Sequence, residues 1–296
     1  MPRERLYRVE AIVLRRTDHG EADRLLTLFT PDLGKMRAIA KGARKPSSRK
    51  SGHVELFTHT HLLLAQGKEL DIVTQADTLD AFLPLRENLE RVGYAYYLAE
   101  LVDKFSEEGA AASRGGVQGG SVVSMPRDDA AEESRAVFDL LLHALGALGE
   151  PSNDPDLLAR FFELRLLQYA GYRPQLFNCV HCGKTIEPVE NYFSAEAGGV
   201  LDPDCVQTQR EHIAGRAYDA QLISLNALKI LRYLQPREWE TVRGLRLNGE
   251  AMSEVEALML RYITHHLERN LKSVEFLREL KYSLGALSKQ EARSEK

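Results

Sequence analysis

Apolar and polar residues alternate in short runs over the first 80 residues, and each run stops at turn-forming residues. The pattern predicts five strands: Tyr7 to Arg16, Arg24 to Thr30, Lys35 to Lys41, Glu55 to Ala65 and Glu69 to Ala76. The connections Asp18-His19-Gly20-Glu21, Pro31-Asp32-Leu33-Gly34 and Gln66-Gly67-Lys68, and the longer stretch from Gly42 to Gly52, all have turn or loop chemistry. No long helix is interleaved, so an antiparallel barrel is expected rather than alternating strands and helices. The five-stranded oligonucleotide-binding (OB) barrel is the closed solution known for gripping nucleic acid.

From Leu85 the period lengthens. Leu89, Val92, Tyr96, Ala99 and the stretch Val102 to Phe105 recur at three and four residues, as one helix face requires. Residues 106–134 carry runs of Gly, Ser and Ala with few large apolar side chains, which predicts a disordered insertion. Helical patterns resume at Arg135 to Leu148 and at Pro155 to Ala170, the second with Asp154 as N-cap and Gly171 just past its end. Two more are expected at Leu222 to Leu234 and at Ser253 to Asn270, where Ser253 and Glu256 have capping-box spacing. The fold class is therefore α+β. An N-terminal five-stranded OB-fold barrel (1–82) is followed by an all-helical domain (83–290) with an inserted zinc-ribbon-like segment (177–208).

Composition narrows the class further. With 296 residues, 44% of them apolar and 28% charged, the chain can bury a core, and no run of about 18 apolar residues could cross a bilayer. The chain reads as soluble. The first residues lack the apolar stretch of a secretion signal, and three cysteines do not suggest a disulfide framework, so a reducing cytoplasm is expected. The net charge of −4 is unevenly spread: residues 1–82 hold 14 Lys+Arg against 11 Asp+Glu, leaving 25 against 32 for the rest. Lys35, Arg37, Lys41, Arg44, Lys45, Arg49 and Lys50 fall within 16 positions that contain no acid. A run of this kind is either a solvated loop or a polyanion-binding one, and its lack of balancing charge inside a β pattern favours the second. With Arg24, these seven are the candidate polyanion-binding residues. Tyr7, Phe29 and Phe57 are expected in the core, so charge rather than base stacking should dominate binding.

All three cysteines lie between 179 and 205, in Cys179-Val180-His181-Cys182-Gly183-Lys184 and Leu201-Asp202-Pro203-Asp204-Cys205. A Cys-x-x-Cys knuckle presents two thiolates to zinc, and a second knuckle about 20 residues on supplies the other two ligands. Here Asp202 stands three residues before Cys205, where a second cysteine would be. The candidate ligands of a structural zinc are Cys179, Cys182, Asp202 and Cys205, with His181, Asp204 and His212 as alternatives; a ribbon that folds without metal is the competing reading. Gly183-Lys184-Thr185 resembles the end of a phosphate-binding loop, but Asn178 occupies the position of its first glycine. His59 and His61 share a strand face without a third ligand in view, so a packed pair is expected. No catalytic constellation emerges, and the chain is not expected to be an enzyme.

These elements together resemble a known family. The segments Val9 to Leu14, Gly20 to Thr30, Gly34-Lys35 and Ala38 to Pro46 closely resemble the N-terminal domain of the RecO family of bacterial recombination mediators. Phe57-Thr58-His59, Tyr172-Arg173-Pro174, the Cys179/Cys182 knuckle, Gly198-Gly199-Val200-Leu201 and Leu271-Lys272-Ser273 follow in the family's order. The resemblance implies binding of single- and double-stranded DNA and annealing of strands coated by single-stranded-DNA-binding protein (SSB). It also implies association with RecR, contact with the SSB C-terminal tail through the helical domain, and help in loading RecA, near the nucleoid. Asp202 departs from the family's four-cysteine ribbon. A barrel-plus-ribbon RNA-binding adaptor is the alternative, since such barrels serve RNA equally well.

Overall fold

In the first strand, Ala11, Ile12, Val13 and Leu14 are all buried, which explains why alternation gives way there to an unbroken apolar run. Val9, Ala11 and Val13 face the interior of a barrel, while Ile12 and Leu14 lie outside that interior cluster. The computed structural model describes residues 6–107, 128–212 and 219–294. Its strands β1 (Leu6–His19), β2 (Asp23–Thr30), β3 (Gly34–Ala40), β4 (His59–Ala65) and β5 (Asp71–Asp80) close in the order β1-β2-β3-β5-β4, with β4 returning to β1. All pairs are antiparallel except β3 with β5, where Ala38 faces Asp71 and Ile39 faces Ile72. This is the five-stranded OB barrel. Its interior is filled by alternate residues, among them Leu26 and Leu28 of β2, Met36 and Ala38 of β3, Leu62 and Leu64 of β4, and Val73 of β5.

The fourth strand starts later than its apolar pattern suggests. Phe57 takes a left-handed φ of 65°, which interrupts extended pairing, and β4 begins only at His59. Phe57 is held there by its amide donating to Val13 O at 2.8 Å and by its buried ring, edge-on to Tyr96 at 5.0 Å. His59 Nε2 donates to Glu10 Oε1 at 2.7 Å and its ring packs on Phe138, so the side chain is engaged.

Helices α1 (Leu83–Arg86), α2 (Leu89–Phe105) and α3 (Asp128–Gly149) follow the barrel. Residues 108–127 of the expected disordered insertion lie outside the described residues. Its end is corrected: α3 begins at Asp128, because Ala130, Ala131, Glu132 and Glu133 are good helix formers and acids favour a helix N-terminus. Next come α4 (Pro155–Tyr169), β6 (Asn191–Ser194), β7 (Gly199–Leu201), α5 (Pro203–His212) and β8 (Ala220–Ile223). The chain ends with α6 (Leu225–Leu234), α7 (Trp239–Val242), α8 (Gly249–Leu267) and α9 (Lys272–Ser294). Asp154 caps α4 through Asp156 N at 2.9 Å, as its sequence requires. Two expected boundaries move. Residues 220–223 form a strand paired with β6, and Ser224 then caps α6; Asn248, not Ser253, caps α8 through Glu250 N at 2.7 Å. The helical part thus also carries a small sheet of order β7-β6-β8.

The chain divides into two compact units, Met1–Glu150 with Lys272–Lys296, and Pro151–Leu271. In the first unit α9 packs on α2 at Gly93, where an added Cβ would stand 2.8 Å from Leu277. Glu100 of α2 caps α9, its carboxylate accepting from Lys272 N at 3.1 Å, Ser273 N at 2.8 Å and Ser273 Oγ at 2.6 Å. Removing this carboxylate leaves three donors without their acceptor. Glu100→Ala should destabilise the first unit by about 1–2 kcal/mol, as the loss of a charged cap does. In a thermal melt this would lower the midpoint by about 2–8 °C.

Candidate nucleic-acid interface and metal centre

The basic run does not form a loose loop. It leaves β3, runs to β4 over residues 41–58 and is pinned by its own apolar residues: Ala43 and Val54 are fully buried in the barrel core. Four hydrogen bonds hold its first turn. Gly42, at φ +66° where other residues are strained, donates its amide to Asp23 Oδ1 at 2.7 Å. Arg44 N donates to Ala22 O at 2.9 Å, and the Arg44 side chain reaches Gly20 O and Glu21 O, each at 3.3 Å.

A chain of alternating charge continues this anchor. Glu55 pairs with both Arg16 and Arg24, the second at 2.9 Å. Asp18 lies 4.0 Å from Arg24 Nε and 3.2 Å from Arg44 Nε. The eight cations singled out in the sequence therefore separate by role. Arg24 is committed to Glu55. Lys35 turns to α2, pairing with Asp103 Oδ1 at 3.3 Å. Lys50 donates to Val73 O at 2.9 Å, and burial pulls its pKa below the ordinary lysine value, partly offset by Asp23. Arg44 is exposed but latched. Lys41, Lys45 and Arg49 are exposed and, among the described residues, make no ion pair. Arg37 is also exposed, and the register places it in one row with Thr27 and Arg15 across β3, β2 and β1. Arg15 lies outside the basic run and was missed by sequence reasoning; only the strand register brings it to this face.

The cysteines converge. The Sγ atoms of Cys179, Cys182 and Cys205 all lie within 4.8 Å of one another. The knuckle between the first two is a tight hairpin: Cys179 N donates to Lys184 O at 2.8 Å, and Gly183 N to Cys179 O at 2.9 Å, with Gly183 at φ +75°. Val200 O accepts from Val180 N at 3.0 Å, and β7 leads directly to Cys205 at the start of α5. The electrostatics suit a cation. Burial raises the Cys179 thiol, but amides of Asp202, Cys182 and His181 donate to its sulfur and bring its pKa down on balance. Burial and the two neighbouring thiols push Cys205 up to about 12. Three thiols placed this closely are a soft donor set that fits zinc. The Asp202 carboxylate does not join them: its backbone N donates to Cys179 Sγ at 3.3 Å, while Oδ1 accepts from Asp204 N at 2.9 Å and caps α5. His181 and Asp204 also stay outside the group, and the His212 side chain lies outside the described residues.

A family model described as Recombination protein O N terminal matches residues 3–82, and one described as Recombination protein O C terminal matches residues 129–275. The chain belongs to the RecO family. Curated relatives agree along its length. The DNA repair protein RecO of Roseiflexus sp. (strain RS-1) is 44% identical over 282 residues, spanning 95% of this chain and 88% of the relative. The RecO of Dehalococcoides mccartyi (strain ATCC BAA-2266 / KCTC 15142 / 195) is 36% identical over 93% of this chain and 96% of its own length. That of Pelotomaculum thermopropionicum is 37% identical over 92% and 94%. Membership of the RecO family gives the chain a role in DNA repair and recombination, and it brings the OB barrel and the cysteine cluster under one description. No described helix is long and apolar enough to cross a membrane.

The Asp23 carboxylate is the acceptor that the first turn of the basic loop depends on. Asp23→Ala should cost about 1.5–3 kcal/mol, as for a hydrogen bond to a charged group, and loosen residues 41–44. Limited trypsin digestion would then cut after Lys41 and Arg44 several times faster than in the unaltered chain, and equal cutting would show that the turn is held by other contacts.

Proposed function

We propose that this RecO-family chain is a non-catalytic recombination mediator of the cytoplasm, close to the nucleoid. It binds single- and double-stranded DNA through the basic edge of its barrel and anneals complementary strands covered by SSB. Together with RecR it helps load RecA. The observation that carries this reading is the division among the cations. Arg24, Arg44 and Lys50 fasten the loop and Lys35 is taken by Asp103 of α2, while Lys41, Lys45 and Arg49 stand outward from an anchored base without carboxylate partners among the described residues. Such cations meet phosphate without reading bases, so binding should be salt-sensitive and tolerant of sequence. Phe29 and Phe57 are buried, which removes them as stacking platforms. An annealer needs this balance, because two polyanions must be screened without either base face being held. The family also points to the SSB C-terminal tail as a partner of the helical part.

Zinc belongs to the same proposal. Cys179, Cys182 and Cys205 would hold it as thiolates, and Asp202, already bonded through its amide to Cys179, is our candidate for the fourth ligand, provided its carboxylate turns toward the thiols on binding while its place as the α5 cap is given up or shared. Bound there, zinc would supply structural cross-linking. Protein purified without chelators should contain about one zinc per chain, and Asp202→Ala should retain it less well. Because Cys205 keeps its proton up to about 12 without a cation, zinc must displace that proton, so affinity should fall as pH falls. Zinc retained equally by Asp202→Ala would assign the fourth position elsewhere.

Two measurements test the DNA reading. Replacing Lys41, Lys45 and Arg49 by Ala should weaken binding to all sequences and shallow the slope of log K against log salt by about 2 units on single strands. An unchanged slope would remove these residues from the interface. The full chain should accelerate annealing of complementary strands coated by SSB; no acceleration would reject the mediator activity.

A further inference from the structure

Small zinc ribbons commonly depend on their metal to fold, because so short a segment buries little apolar surface of its own. The knuckle of this chain has another support. Its two stems run through residues 176–178 and 185–186 and pair with each other at Asn178 and Thr185, with Ile186 N donating to Phe177 O at 2.9 Å. Both stems are held from one side by α6. Arg232 Nε donates to Leu176 O at 2.9 Å, and Arg232 Nη2 reaches Ile186 O at 3.4 Å on the opposite stem. The same guanidinium lies 5.4 Å from the centre of the Phe177 ring. Three residues on, buried Gln235 donates through Nε2 to Pro174 O at 2.8 Å, where the chain enters the hairpin.

We propose that Arg232 and Gln235 are positioning residues for the metal site: one turn of α6 holds both stems of the Cys179–Cys182 hairpin, so that the thiols converge before any ion arrives. This rests on the reading of the cysteine cluster as a zinc site. An arginine suits the task because its donors sit on separate nitrogens of a fixed planar fork that reaches both stems, whereas a lysine's donors all share one nitrogen. The geometry assigns no contact between Arg232 and the sulfurs; its effect passes through the backbone of residues 176–186.

The test combines zinc affinity, measured by competition with a chromophoric chelator, with amide exchange of the chelated full-length chain. In metal-free unaltered protein, the amides of Cys179, Gly183 and Ile186 should be protected. Arg232→Ala should lose that protection and bind zinc about 10- to 100-fold more weakly, the range seen when groups that orient metal ligands are removed. Arg232→Lys keeps the charge but gathers its donors on one flexibly held nitrogen, and should fall between the two. Gln235→Ala should show a smaller loss of the same kind, and with Arg232→Lys it carries the test if Arg232→Ala does not fold. Arg237→Ala is the control: Arg237, just past the end of α6, stacks on Tyr233 and bonds Tyr233 O, not the hairpin, so zinc affinity should not change. Equal zinc affinity in Arg232→Ala and unaltered protein, or freely exchanging knuckle amides in the metal-free unaltered chain, would overturn the clamp while leaving the metal site intact. Unaltered protein that takes up no zinc at any concentration would overturn the metal reading and this assignment with it.

Discussion

Seven cations in 16 residues repel one another, and acids at the adjoining ends of β1 and β2 and within the segment itself hold the run against that repulsion. Asp23 takes the amide of Gly42, Asp18 takes Arg44, and Glu55 bridges Arg16 and Arg24. These attachments, with Ala43 and Val54 buried in the core, turn a run of like charge into a surface with a fixed base. They also determine how many charges remain for a polyanion. A loop of the same composition without anchors would have more cations to offer, but ordering it on DNA would cost more conformational entropy.

The second unit uses the same device with different chemistry. Three thiols crowd to within 4.8 Å, an arrangement that raises Cys205 and calls for a cation, yet the hairpin that presents two of them is bonded to α6 rather than to the sulfurs alone. In both units a local cluster that is unfavourable by itself is held by side chains from elements far away in sequence.

That separation explains what could be read from the sequence. The barrel strands were legible because alternation of apolar residues reports burial directly, and the Asp154 cap because its signal is local. The start of β4 was misplaced because the left-handed turn at Phe57 is imposed by Val13 O and the packing of its ring on Tyr96, neither of which is local. The helix was started too early, at Leu222, because Leu222 fits both periods, and only pairing with Asn191 to Ser194 places residues 222–223 in a strand. Within the basic run, composition located the edge, but every cation looked alike. Lys35 differs from Lys41 because Asp103 lies opposite it, 68 residues on. The spacing that singles out Asp202 says nothing of its second partner, the backbone amide of Asp204 two residues on, which takes a carboxylate oxygen.

The central claim is that DNA meets the anchored basic edge of the barrel. Hydrogen exchange of the full chain with and without a single-stranded oligothymidylate tests it most directly, since it reports the contact surface without altering any side chain. Protection should increase in residues 41–58 and in the β1–β2 turn that anchors them, and fade as salt is raised. Protection confined to residues 151–271, with the basic edge unchanged, would contradict the account.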